Sequence, residues 1–363
     1  MTDNEVMESY RESAARRGVV SAPPLVLAEE SSDLPDVAAH VPAGGGPPLF
    51  ITADPARITT IDETISWLRA NRAALDGLII RHGGIVLRGF PVRSSRDFGA
   101  VVDTFPSYSR GYVGGGGSRA RISDKVMEAT QLSETMNLTL HSEMGYLKTY
   151  PKRIAFYCAK PAEFGGETTI GSMRAFIARL PNDLRERIRE NGARTIRNLA
   201  PAGASRGQRV SDHPDKRGWD ETFDTEDRVE VEAHCAAMAM EAIWNEDGSL
   251  TLISEAEPFA HHPATGELCY RSQMHTNRSF EADDRRAITE ALRASQKMRS
   301  RHTMLNGEEM PQQDADMVAR IFSEITVAWP WHSGDVMILD NLLVSHGRHP
   351  YAGTRDVQVA LLD

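Results

Sequence analysis

The stretch Gly334-Asp-Val-Met-Ile-Leu-Asp-Asn-Leu-Leu-Val-Ser-His-Gly-Arg-His-Pro-Tyr-Ala-Gly-Thr-Arg355, followed by VQVALL at 357–362, decides the fold. It reads as turn, strand, turn, strand end, loop and final strand. The runs are short and apolar, and Gly, Asn and Asp punctuate them. Upstream, GIVLRGF (84–90) reads as another buried strand, and Leu138–Leu140 and Arg153–Cys158 as two more. GGETTIGS (165–172) is a further turn-and-strand signal. The expected architecture is mainly β with flanking helices.

Helical signals frame this β core. Thr60-Ile-Asp-Glu63 has capping-box spacing and opens an amphipathic pattern that His82-Gly-Gly stops. Further helices are expected around Arg96–Phe105, over 173–191 with Pro181 starting the second part, and near 283–297 and 314–326. Residues 1–46 read as a partly flexible N-terminal arm ending in PAGGGPP (42–48), ahead of one domain over 47–363. A helical insertion is expected at about 173–330.

The chain has 363 residues, enough for a full core without disulfides or structural metals. It carries 41 Lys+Arg against 51 Asp+Glu, a formal charge of −10, with no basic block. Nucleic acid is therefore not an expected partner. Cys158, Cys235 and Cys269 are odd in number and form no CxxC, which argues against a disulfide framework or a thiolate zinc site. The first residues hold no apolar signal segment, and no run reaches the ~18 apolar residues of a membrane span. A cytoplasmic location and no membrane partner are expected.

Chemistry starts from the histidines. Twelve histidines and 51 acids in 363 residues give between one and two His-x-acid pairs by chance, and two occur. Context must choose between them. His141-Ser-Glu143 follows the apolar run Leu138–Leu140, and in an extended strand residues i and i+2 share a face. An imidazole and a carboxylate would then lie side by side. His213-Pro-Asp215 sits in a polar loop, where its proline blocks ladder pairing. His346, at the end of the strand pair, is the third candidate ligand. Two histidines and one carboxylate make the facial triad of non-haem Fe(II) oxygenases. Arg355, nine residues on, could fork onto the distal carboxylate of a metal-bound diacid, and Thr168 could donate a hydroxyl to it. Read singly, each has a plain alternative: a satisfied core histidine, a surface cation, a turn threonine.

Together, LHSEMGY, KPAEFGGET, GIVLRGF and GDVMILDNLLVSHGRHPYAGTR resemble the Fe(II)/2-oxoglutarate-dependent dioxygenases of the TauD/TfdA superfamily over about residues 80–363. KTYPKRIAFYCAKPAEFGGET, GWDETFDTEDRVEVEAHC and HHPATGE narrow the resemblance to the syringomycin-type (SyrP-like) amino acid hydroxylases. That branch usually has Asn and Ser where Ser142 and Gly145 stand here. The resemblance implies a double-stranded β-helix (jelly roll, clavaminate synthase-like). It implies His141, Glu143 and His346 as iron ligands, and Arg355, Thr168 and Arg348 at the cosubstrate. Fe(II), 2-oxoglutarate and O2 are the implied cofactors, with succinate and CO2 as co-products. Related halogenases lack the acid, so Glu143 points to hydroxylation. The implied substrate is a small molecule, an amino acid or its derivative, free or delivered on a peptidyl carrier protein in natural-product (antibiotic) biosynthesis. Arg119 and Arg121 beside a tetraglycine, Gln131, His275 and Asn277 are the candidate substrate residues. The alternatives are a desaturation, epoxidation or cyclisation on the same cofactors, and a non-catalytic jelly-roll sensor of a metal or small acid.

Overall fold

The strand-forming runs of the C-terminal stretch become two facing strands of different sheets. In the computed structural model, Val336–Asp340 lies in an eight-stranded sheet and Val344–Arg348 in a four-stranded one. The structure describes residues 3–110, 112, 119–123, 125–129, 133–204, 217–278 and 300–363. The helix expected over 283–297, the tetraglycine, Gln131 and His213 lie outside these residues.

In the large sheet, Val336–Asp340 is flanked by Gly84–Arg88 and Arg153–Lys160, and the final strand Asp356–Leu362 lies beyond Arg153–Lys160. Alternation along these strands builds two cores. Ile85, Leu87, Tyr157 and Ile338 point to a helical layer made by Ile61–Ala70, Arg72–His82 and Ser95–Val102. Val86, Phe156, Met337 and Leu339 point the other way, toward the smaller sheet. The strands are consequently buried on both faces and read as continuous apolar runs. Thr60 caps its helix as expected: its hydroxyl accepts from the Glu63 amide, and the Glu63 carboxylate accepts from the Thr60 amide.

The small sheet runs Thr326–Val327, Thr168–Ser172, Val344–Arg348 and Leu138–His141, all antiparallel. It forms the wall on which the functional side chains stand.

One expectation needs correction. The stretch 173–330 is not simply a helical insertion. Beside helices at Met173–Arg179, Asn182–Asn191, Arg228–Ala237 and Gln312–Ile325 it carries a four-stranded antiparallel sheet. That sheet is built on Ala193–Leu199 and Leu250–Ala256. In Ala193–Leu199 buried Thr195, Arg197 and Leu199 alternate with more exposed residues, a period-two pattern that polar and charged residues disguise. The N-terminal arm, in turn, holds a helix at Asp3–Arg17 and strands Leu27–Glu29 and Val37–Pro42, which extend the edge of the large sheet.

Candidate metal centre and cosubstrate site

The strand Leu138–His141 pairs with Val344–Arg348 so that His141 and His346 are direct partners across the ladder. Their rings lie 4.5 Å apart between centroids. Sequence separation of 205 positions is thus erased by a single register. Glu143 arrives differently from the expectation. The strand ends at His141, and Glu143 sits in the turn that follows. What fixes it is Asn341, a fully buried residue between the two C-terminal strands. The Glu143 amide donates to Asn341 Oδ1 at 2.7 Å, and Asn341 Nδ2 donates to the carbonyls of Glu143 at 2.9 Å and Pro151 at 2.8 Å. A side chain therefore replaces the ladder partner that the turn lacks.

The turn itself is tight. Met144 takes a φ of 53°, in the left-handed region that costs a non-glycine residue about 1 kcal/mol. Offsetting contacts surround it: Arg271 Nε donates to the Gly145 carbonyl at 3.1 Å, and its Nη2 to that of Leu147. A Cβ at position 145 would lie 2.5 Å from the Arg271 carbonyl oxygen. Gly145 thus stands where this branch usually has serine because the backbone of residue 271 comes too close.

His141, Glu143 and His346 each offer a ligand atom, all within 4.8 Å of one another. Glu143 Oε2 is 3.5 Å from His346 Nε2. The residues fit a divalent metal. His141 Nδ1 donates to the Thr139 carbonyl at 2.9 Å, which keeps the ring proton on that nitrogen and leaves Nε2 as the lone-pair donor. Burial, and then the nearby His346, push the His141 pKa down to about 4, so the ring is neutral at pH 7. Burial opposes ionisation of Glu143, but Arg119 and the hydrogen bond from His346 hold its pKa well below the carboxylate range. Two imidazoles and one carboxylate would leave three of six octahedral positions open.

Two rungs along the same sheet stands the second cluster. Ile170 is the partner of His346 and Thr168 that of Arg348, so Thr168 lies roughly 7 Å along the strand from the histidine rung. Arg355 Nη2 donates to Thr168 Oγ1 at 3.4 Å, and Trp331 Nε1 donates to the same oxygen at 3.2 Å. With both lone pairs engaged, the Thr168 hydroxyl has its proton to give to a ligand. Arg355 Nε is fixed on the Gly166 carbonyl at 2.8 Å. Burial, with Arg348 next, lowers the Arg355 pKa to about 10, leaving it charged at neutral pH. Arg348 turns away, its Nη2 donating to the carbonyls of Ser133 at 2.7 Å and Met136 at 3.0 Å. It braces the loop that leads into the His141 strand.

The N-terminal arm locks this end. Gly165, at φ 65°, has room for no Cβ, which would meet the Pro350 carbonyl oxygen at 2.4 Å. Its amide donates to Ser21 Oγ at 2.9 Å, and the Ala22 amide donates to Glu167 Oε1 at 2.8 Å.

The other candidates scatter. Arg119 enters the centre, donating to Glu143 Oε2 at 2.7 Å with its side chain 4 % exposed. Arg121 is exposed, 3.9 Å from Asp224. His275 packs against Phe322, at 4.7 Å between centroids, beside Tyr270 in an aromatic cluster. Its pKa falls to about 3 through burial. Asn277 falls in the short 3-10 helix Met274–Arg278. Residues that sequence reasoning missed are Asn341, Trp331 and Arg217. The signal for Asn341 was present: a polar pair, Asp340-Asn341, inside an otherwise apolar run.

Comparison with known proteins agrees with this geometry. The family described as "Taurine catabolism dioxygenase TauD, TfdA family" matches residues 48–361. The dapdiamide synthesis protein DdaC of Enterobacter agglomerans is 27 % identical over 324 residues, 88 % of this chain and 92 % of that protein. A clavaminate synthase-like protein of Arabidopsis thaliana is 27 % identical over 305 residues, 81 % of this chain and 86 % of the other. An asparagine oxygenase crystallised with Fe(II), 2S,3S-3-hydroxyasparagine and succinate shares the fold, with a TM-score of 0.50 at 11 % identity, covering 86 % of this chain and 93 % of that one. A β core in two sheets, a His-x-Glu…His cluster between them and a family match over most of the chain lead to one assignment: the chain belongs to the TauD/TfdA family of Fe(II)- and 2-oxoglutarate-dependent dioxygenases.

Proposed function

We propose that this protein hydroxylates an unactivated carbon of an amino acid or amino-acid-derived small molecule, with His141, Glu143 and His346 holding Fe(II). The observation that carries the reading is the placement of His141, His346 and Thr168 on one sheet, Thr168 two rungs from the histidine pair, with Glu143 in the turn after His141 and Arg355 hydrogen-bonded to Thr168. Arg355 anchors the distal carboxylate of 2-oxoglutarate and Thr168 donates its hydroxyl to it. Iron with 2-oxoglutarate and O2 supplies an oxidant for the substrate C–H bond, leaving succinate and CO2. The protein's own work is placement and exclusion of water. Asn341 sets the carboxylate ligand through its backbone, the Thr139 carbonyl sets the His141 tautomer, and Phe156 packs edge-on against the His346 ring at 5.2 Å. The amino acid class draws support from the asparagine oxygenase complex with hydroxyasparagine. Natural-product biosynthesis, free or on a peptidyl carrier protein, draws support from the dapdiamide synthesis relative.

The test is anaerobic visible absorption of the protein titrated with Fe(II) and 2-oxoglutarate, beside His346→Ala. A metal-to-ligand charge-transfer band in the wild type that is absent from the folded variant is the expected result. No band in folded wild-type protein overturns the reading.

A further inference from the structure

Glu143 is held at two ends. Its carboxylate accepts from Arg119, which with Arg121, Lys125 and Arg217 lines a cavity of about 250 Å3. Its backbone is held by Asn341. His346 needs no such support, because its strand is ladder-paired on both sides, to Leu138–His141 and to Thr168–Ser172. Glu143 lies in a turn and depends on Asn341, and Asn341 is in turn set by a buried pair, Asp340 and His262.

Asp340 ends the strand Val336–Asp340, and its amide donates to the Gly83 carbonyl at 2.9 Å. Its Oδ1 accepts from the amides of Leu342 at 3.0 Å and Leu343 at 2.9 Å, which folds the chain tightly around Asn341. Its Oδ2 accepts from His262 Nε2 at 3.0 Å. The Thr265 amide donates to His262 Nδ1 at 3.2 Å, so the ring proton is on Nε2, the nitrogen that faces Asp340. Among the described residues Asp340 forms no ion pair with Lys or Arg, so these three N–H groups satisfy its buried carboxylate.

His262 belongs to the HHPATGE stretch and follows the first strand of the hairpin Phe259–His261 and Leu268–Tyr270. This hairpin has anchors of its own. Tyr270 stacks on Phe176 at 4.9 Å between centroids, and Glu267 accepts from Arg174 Nε and Nη2, each at 2.7 Å. Arg174 also donates to the carbonyls of Ile80 at 2.9 Å and Arg81 at 3.1 Å. His262 is therefore presented to Asp340 from a braced support.

We infer that His262 is a positioning residue for the metal centre, acting through Asp340 and Asn341 on the backbone of Glu143. The inference rests on the reading of His141, Glu143 and His346 as iron ligands, and extends it to a histidine that touches neither metal nor cosubstrate. A carboxylate ligand on a loose turn pays an ordering cost when it binds metal, and fixing that turn from behind removes the cost.

Two near-isosteric replacements separate this role from a purely structural one. A glutamine amide reaches the place of Nε2 and donates to Asp340. An asparagine amide reaches only the place of Nδ1, so it keeps the Thr265 contact and loses Asp340. Fe(II) is titrated anaerobically under saturating 2-oxoglutarate and read by the charge-transfer band. His262→Asn should weaken Fe(II) roughly tenfold or more, and His262→Gln should stay within about threefold of wild type. In a Glu143→Ala background the asparagine change should add less than about twofold, because the ligand it positions is gone. A glutamine variant no better than asparagine, or an equal asparagine effect in both backgrounds, overturns the inference. Wild-type protein gives a check that no variant has to fold for. By reciprocity, metal on Glu143 tightens the pair, so hydrogen exchange at the Thr265, Leu342 and Leu343 amides should slow by a similar factor, roughly tenfold, on loading with Fe(II) and 2-oxoglutarate. Unchanged exchange at these amides also overturns it. Absence of the band in folded wild-type protein instead overturns the dioxygenase reading on which the inference rests.

Discussion

The metal side and the cavity side of this site are built on different principles. His141, His346 and Thr168 stand on ladder-paired strands, where one register fixes every side chain, and Glu143 and Arg355 are each pinned within three residues of a strand end. Arg119, Arg121 and Arg217 hang on connecting segments outside any regular element. The metal half is set by strand pairing and the cavity half is carried by loops. A scaffold built this way can retain its chemistry while its cavity wall is rewritten.

Perturbations sharpen that contrast. The largest effect is expected for Asn341→Ala, which leaves the Glu143 amide and two buried carbonyls unsatisfied. A loss of about 3–5 kcal/mol in urea unfolding is expected, together with weaker Fe(II) binding by titration. Next comes Arg355→Ala, expected to weaken 2-oxoglutarate roughly 100-fold, the worth of two charge-assisted bonds, while iron affinity scarcely changes. Equal loss of both would make Arg355 structural and break the distinction between its end of the sheet and the triad.

Acid should act on the buried histidines: His141 at the metal centre, His275 in the aromatic cluster and His302 on the strand Ser300–Thr303 beside Ala193–Leu199. Burial lowers the pKa of His141 to about 4, of His275 to about 3 and of His302 to about 4, from 6.5. The folded state favours their neutral forms, so the unfolded chain takes up protons first. Their stabilisation is complete above pH 6.5 and is lost as pH falls toward 4, with a slope of up to about 1.4 kcal/mol per pH unit for each group. Urea midpoints of the metal-free protein between pH 7.5 and 5 would reveal it. Smaller still is Ser21→Ala, which removes the arm's bond to Gly165. We expect about 1 kcal/mol and a few-fold weaker 2-oxoglutarate binding, read by the charge-transfer titration. His213→Ala should leave iron stoichiometry unchanged, and a loss there would overturn the choice between the two His-x-acid pairs.

The same division explains what could be read from the sequence. His141, Glu143, His346, Arg355 and Thr168 could be singled out because they sit near strand and turn signals and because the family resemblance marks them; the structure brings the first three together, His141 and His346 on paired strands and Glu143 in a turn. Glu143 was found, but not its support: nothing local says that an asparagine 198 positions later holds its backbone. His275 looked like a substrate group because it is polar, whereas the Phe322 ring it packs against comes from a helix 47 positions later. The sheet on Ala193–Leu199 was hidden because Thr195 and Arg197, polar by composition, are among its buried residues. Long-range packing decides such cases, and local pattern does not carry it.

The Asn341–Glu143 clamp has a consequence in time. Glu143 and the strand of His141 find their partners only when residues 341–346 exist. At roughly 5–20 residues per second, about 10–40 s of synthesis separates the two halves of the centre. Until then the ribosome-bound chain carries one imidazole and one loose carboxylate, too few ligands to select a metal. The three ligands can therefore converge on one metal only after the last strands have closed.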